Sequence, residues 1–173
     1  MQPVWKRPAR CWPEAGTLNM RVSNRNFEKK LQMQIEEIQE EIVGEFEMFE
    51  DWMQRYEYMI ELGKSLPKID EKYKTDDHLI KGCQSKVWVH ADLENEKVVF
   101  TADSEAIITK GIIAILIRAF NNQKPADILK ARTDFIDEIG LKEHLSPTRA
   151  NGLVSMIKQL KMYALAYETQ MES

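Results

Sequence analysis

The stretch "KVWVHADLENEKVVFTADS", residues 86–104, decides the fold. Val87, Val89 and Ala91 alternate with Lys86, Trp88, His90 and Asp92, the period of two that marks a strand with one buried face. The polar turn Glu94-Asn95-Glu96-Lys97 follows, and then the apolar run Val98-Val99-Phe100. Two such segments around a short polar turn predict an antiparallel hairpin. Just downstream, Asp103 and Ser104 offer side-chain oxygens that would cap a helix. The segment "SEAIITKGIIAILIRAFNN", residues 104–122, is apolar on more than one face and is expected to be the central buried helix, laid across the sheet. Gly111 inside it costs about 1 kcal/mol relative to alanine, so it is expected to mark the close approach of another backbone.

Working outward, the period becomes helical on both sides. Phe27, Leu31, Ile35, Ile38 and Ile42 form one apolar stripe, and the acidic residues 36–41 around Ile38 read as its solvated face. A second helix is expected over residues 51–62, with Trp52, Tyr56, Met59 and Ile60 inward, Gly63 as its stop and Pro67 preventing resumption. Residues 68–78 are charged and without period, which predicts a loop. Beyond the central helix, residues 125–129 read as a helical turn and 133–140 as a short helix. The last helix starts with Ser146 as N-cap and Pro147 at its first position, and its stripe is Leu153, Ile157, Leu160, Ala164 and Tyr167. Helices, a small antiparallel β-sheet, then helices define an α+β class.

The chain has 173 residues, 43% hydrophobic and 30% charged, which fits one ordinary globular domain. Residues 1–20 differ: they hold three of the six prolines, two of the four tryptophans and a charge of about +2 from Lys6, Arg7 and Arg10 against Glu14. They are expected to be a leader, disordered or not native, with Met20 as an alternative start, ahead of a single domain over residues 21–173. The net charge of −4 argues against nucleic acid as a partner, because phosphate binding needs clustered cations. No apolar run reaches the roughly 18 residues that span a bilayer, so no membrane partner is expected. Two cysteines, Cys11 in the leader and Cys83 in the domain, do not make a disulfide framework, and the reducing cytoplasm is the expected compartment.

Chemistry narrows to Cys83. Past Met20 the only other soft ligands are His78, His90 and His144, with no paired-cysteine spacing for zinc or iron–sulfur. No phosphate-cradling glycine motif and no nucleophile elbow occurs. Cys83 is then an inert core thiol, a nucleophile, or an acceptor for something another protein delivers. A hydrolase would need a histidine base within reach, from His90 or His144. Gly82 before it suggests a tight loop tip. Cys83 precedes the strand and so lies outside its buried alternation. Lys81 and Lys86 are cations expected to favour the thiolate.

"IKGCQSKVWV", residues 80–89, resembles the active-site segment of the SufE family of sulfur acceptors. The likeness continues in "YMIELGKSLP" upstream and in "ADSEAIITKGIIAILI", "KPADIL" and "LSPTRANGLVSMI" downstream, across roughly residues 49–161. The first helix lies outside that match, and residues 133–140 depart from the family's aromatic-rich pattern. The resemblance implies helices packed on a small sheet, akin to the scaffold IscU. It implies that Cys83 takes sulfane sulfur from a SufS-type cysteine desulfurase as a persulfide, stimulates that enzyme, and relays the sulfur to an iron–sulfur scaffold complex. On this reading the protein is not itself an enzyme. It carries no cofactor and no metal of its own; pyridoxal phosphate belongs to the partner. The alternative is a regulatory or adaptor domain that binds a desulfurase without relaying sulfur. Gly82, Gln84 and Ser85 belong to the cysteine motif as loop support. Asp103 and Ser104 are read as helix cap first and loop anchor second, Lys110 as a contact for a neighbour's carboxylates, and Arg149 as an anchor for the loop or a partner. The resting loop is implied to tuck its thiol toward an apolar pocket.

Overall fold

The computed structural model describes residues 34–173; the leader, Cys11, Phe27 and Leu31 lie outside them. Among the described residues seven helices flank a single hairpin: α1 (Ile35–Glu47), α2 (Trp52–Lys64), β1 (Val87–Glu94), β2 (Lys97–Ser104), α3 (Ile107–Phe120), α4 (Pro125–Lys130), α5 (Phe135–Glu138), α6 (Leu141–His144) and α7 (Pro147–Glu172). The α+β class is as expected.

The strands pair antiparallel from Val87 with Ser104 to Glu94 with Lys97. Asn95 and Glu96 make the two-residue turn, both at positive φ, as the right-handed twist of a tight hairpin demands. Val87, Val89, Ala91, Val98, Phe100 and Ala102 are all buried. An isolated two-stranded hairpin is marginal in water, and here both outer edges are sealed. On β1, the carbonyl of Val87 accepts from Ile80 N (2.8 Å), that of Val89 from the Tyr163 hydroxyl (2.9 Å) and that of Ala91 from the Tyr167 hydroxyl (2.6 Å). On β2, Val98 N donates to Gln123 O, Phe100 N to the Asn121 side chain, and Ala102 N to Pro67 O. These backbone groups, which face away from the partner strand, thus all have bonds, as buried polar groups require.

The segment expected as a plain loop, residues 68–78, is more ordered than its composition suggested. Lys68 bridges Ala102, Leu79 bridges Trp88, and two short 3₁₀ turns (Glu71–Tyr73 and Asp76–His78) lie between. Tyr73 stacks on His90 of β1 at 3.6 Å between ring centroids. Short turns that follow Asp70 and Thr75 carry no apolar period, so pattern reading misses them.

The central helix is α3, with residues 111–117 all buried. It crosses α2 at Gly111. A Cβ there would lie 2.6 Å from the Met59 carbonyl oxygen, so the expected backbone approach is present. Gly63, expected as the stop, does not end the helix. α2 continues through it to Lys64, and a Cβ at Gly63 would meet Gly111 N at 3.0 Å. Both glycines serve one crossing. α1 docks through Ile35, Ile42 and Phe46, each buried and each contributing about 1.5–3 kcal/mol. Glu36, Glu37, Glu40 and Glu41 face solvent as expected. Arg118 of α3 forks onto Glu45 of α1, with Nη2 to Oε1 at 2.8 Å. Burial works against the Glu45 charge, but Arg118 and the Tyr58 hydroxyl hold its carboxyl below the usual range. α7 follows its stripe, with Leu153, Met156, Leu160 and Ala164 buried and Ser146 Oγ accepting from Arg149 N.

Candidate functional site

Residues 81–86 form a loop pinched at its neck by the Ile80 N to Val87 O bond. Lys86 O, where the loop enters β1, accepts from the Ser104 hydroxyl at 2.9 Å and from Glu105 N at 3.3 Å. At the other side Gly82 sits at φ +92°, the left-handed region in which a glycine is at ease. A side chain there would also meet Ser155 Oγ at 2.7 Å. The loop therefore presses on the first turns of α7.

Cys83 is half-buried and unpaired, and its Sγ donates to the carbonyl of Gly152 on α7 at 3.6 Å. Gly152 makes this seat possible, since a Cβ there would stand 3.3 Å from Sγ. Burial pushes the thiol pKa up from its ordinary range. The expectation that Lys81 and Lys86 favour the thiolate is therefore corrected: desolvation is the effect that acts, and Lys86 points to Glu105. Cys83 faces a cavity of about 380 Å³ lined also by Gln84, Ser85, Thr109, Ile112, Thr148, Arg149, Gly152 and Met156. Its wall is mixed: Ile112 and Met156 are apolar, but hydroxyls, an amide and a guanidinium join them.

Four of the residues singled out in the sequence thus meet in one place: Cys83, Gln84, Ser85 and Arg149. Ser104 acts one step behind, on the loop's exit. Asp103 and Ser104 end β2 and are not the helix cap expected; Ala106 holds that position, and Ser104 Oγ accepts from Ala106 N at 3.3 Å. Asp103 lies between Lys74 and Lys110, 2.8 Å from each. Burial opposes its charge, yet Lys110, Lys74 and the Ser104 N–H bring its pKa down to about 2. Lys110 is thereby engaged within its own chain. Thr109, Thr148, Gly152 and Met156 were missed. Their only signal was membership of the same motifs as Lys110 and Arg149.

Among the described residues no base stands beside the thiol. His78 and His90 bond to each other at 3.3 Å, His90 also to Asp92, and His144 to Gly140 O. Among the described residues, too, no group of three histidine, cysteine or acidic side chains is disposed to hold a metal. Among the described residues a cysteine hydrolase lacks its base, and His78, Cys83 and His90 do not form a ligand cluster.

A half-buried loop thiol over a mixed cavity, on an α+β frame and with no catalytic base beside it among the described residues, defines a cysteine-bearing class of protein. The family model "SufE: Fe-S metabolism associated domain" matches residues 40–164, wider than the motifs alone suggested and including residues 133–140. The chain belongs to the SufE family. It is 39% identical over 130 residues to a SufE-like protein of Rhizobium meliloti (strain 1021), covering 72% of this chain and 93% of that one. Against SufE-like protein 1, chloroplastic/mitochondrial, of Arabidopsis thaliana, identity is 37% across 77% of this chain and 36% of the longer relative. A hypothetical protein from Thermus thermophilus, solved in solution, shares the fold at TM-score 0.65 and 21% identity, over 76% of this chain and 96% of that one. Among the described residues no helix is long and apolar enough to cross a membrane.

Proposed function

We propose that this protein accepts sulfane sulfur on Cys83 from a SufS-type cysteine desulfurase, stimulates that enzyme, and passes the sulfur on for iron–sulfur cluster assembly. The observation that carries this reading is the setting of Cys83, a thiol on a glycine-hinged loop with no base or metal-binding group beside it among the described residues. The step balances without an outside oxidant. The Cys83 thiolate attacks the terminal sulfur of the desulfurase persulfide, that S–S bond breaks, and the desulfurase thiolate leaves. The raised thiol pKa suits a resting state shielded from oxidation. Once the loop leaves Gly152 the desolvation is relieved and thiolate forms more readily. Family membership supports the partner and the cargo. Arg149, on the same cavity and with no side-chain bond to the loop among the described residues, is available to a docked partner. A free thiol of this kind suits a reducing cytoplasm.

The test is mass spectrometry after incubation with desulfurase and free cysteine. Cys83 should gain about 32 Da, one sulfur atom, and Cys83→Ser should abolish both the adduct and the stimulation. Full stimulation by Cys83→Ser would instead make the protein an adaptor that relays nothing.

A further inference from the structure

The cavity beside Cys83 is larger and more polar than one added sulfur atom requires. At about 380 Å³ it lies at the small end of ligand pockets. Two features of its wall have no task within the chain. Thr109 is only 7% exposed and lines the cavity; among the described residues its hydroxyl has no hydrogen-bond partner, and it is not sealed in the core but open to the cavity. A hydroxyl that is open to a cavity and has no partner in the chain is available to bond a molecule held there. Arg149 lines the same cavity, and its guanidinium makes no ion pair or hydrogen bond among the described residues. A planar cation with five donors suits a carboxylate. Gln84, Ser85 and Thr148 add neutral donors and acceptors.

We infer that this cavity is a binding site for a small thiol bearing a carboxylate, which enters beside Cys83 and takes the sulfur from it. Arg149 holds the carboxylate and the Thr109 hydroxyl bonds the ligand, which places the ligand's sulfur next to Sγ. The transfer conserves electrons. The thiolate of the small molecule attacks the outer sulfur of Cys83–S–SH, the bond from that sulfur to Sγ breaks, and the pair stays on Sγ, giving a free small-molecule persulfide and the resting thiol. The transfer rests on the persulfide reading above; the site itself does not, because the same pocket would also select small disulfides that react with the unloaded thiol.

The test uses the full chain in two arms. In the first, the unloaded protein reacts with dithiodiglycolate, which carries carboxylates, or with neutral hydroxyethyl disulfide. Each rate of mixed-disulfide formation is divided by that of an unstructured cysteine peptide. The carboxylate probe should be favoured by about tenfold, the effect of one charge-assisted hydrogen bond. Arg149→Gln should bring the preference to within about twofold. Lys158→Gln removes the same charge from an exposed site on α7, about 13 Å further along at 1.5 Å per residue, and should leave the preference intact. Thr109→Val should slow the carboxylate probe several-fold while leaving the melting temperature unchanged or higher. Equal corrected rates in the wild type, equal losses in the two cation variants, or an unaffected Thr109→Val would overturn the site. In the second arm, protein loaded with persulfide is mixed with mercaptoacetate or mercaptoethanol, and loss of about 32 Da from Cys83 is followed. The same preference is expected, and its absence would overturn the transfer. If the first arm succeeds and Cys83 never loads from a desulfurase, the sulfur-acceptor reading fails and the carboxylate site stands.

Discussion

Replacing Gly111 by alanine sets two effects of opposite sign against each other. By helix propensity alone, Gly111→Ala should stabilise by about 1 kcal/mol. The α2–α3 crossing forbids that gain. The new Cβ would lie 2.6 Å from the Met59 carbonyl oxygen and 2.9 Å from its carbon. Both are backbone atoms of a helix, so no rotamer change relieves the contact, and α2 must move off α3. Overpacking of a core costs about 1–3 kcal/mol, and a rigid neighbour puts this site near the upper end. The net expectation is a loss of about 1–2 kcal/mol, a fall of roughly 2–8 °C in melting temperature for a domain of this size. Gly44→Ala is the matched control. Gly44 lies on α1 and a Cβ there meets nothing within 4 Å, so it should gain up to about 1 kcal/mol. Urea unfolding of both variants measures the difference. A Gly111→Ala protein as stable as Gly44→Ala would refute the close crossing.

Three further outcomes follow from the same geometry. Asp103 has a folded pKa of about 2 against an unfolded value near 3.9, so its contribution to stability is complete above about pH 4 and lost as pH falls through 2; Asp103→Asn should flatten the acid limb of a urea-midpoint profile, and an unchanged limb would count against the Lys74 and Lys110 pairing. Tyr163→Phe and Tyr167→Phe each remove a bond to a β1 carbonyl and should cost about 1 kcal/mol apiece, with faster amide exchange along that strand edge as the specific readout. Alkylation of Cys83 should show an apparent pKa above the ordinary thiol value of about 8.5, and Gly152→Ala, which crowds Sγ, should speed alkylation at neutral pH by displacing the loop; an ordinary titration in the wild type would mean that the thiol is not seated on α7.

Period carried most of the fold. The alternation at Val87, Val89 and Ala91 and the stripe from Leu153 to Ala164 are set by which side chains avoid water, and that information is local. What pattern reading missed depends on partners distant in sequence. Gly63 resembles a helix stop because glycine ends helices often, yet its reason is Gly111, across a crossing that no window of one segment contains. Asp103 and Ser104 look like cap residues by type, but Lys74, Lys110 and the Lys86 carbonyl claim their side chains first. At the site, the cysteine motif and the arginine motif were each legible. Their meeting was not, because it depends on the loop folding back onto α7, 69 residues later in the chain.

The sign of the error at Cys83 is instructive for how such a thiol works. Nearby lysines suggested an activated thiolate, whereas the buried seat on Gly152 acts the other way. Activation by fixed charge would leave the thiol reactive toward every oxidant and alkylator that reaches it. Desolvation instead would tie reactivity to loop position: a loop that left Gly152 would expose the sulfur and relieve the burial that raises its pKa. The frame fits that division of labour. Both edges of the hairpin are bonded along their length and the loop neck is fixed at Ile80, Val87 and Ser104. On the reading proposed above, a loop held at its neck by a sealed sheet and at its tip by the sulfur–carbonyl contact and the packing of Gly82 and Cys83 on α7 opens without loosening the hairpin, at a cost set by what those two residues give up.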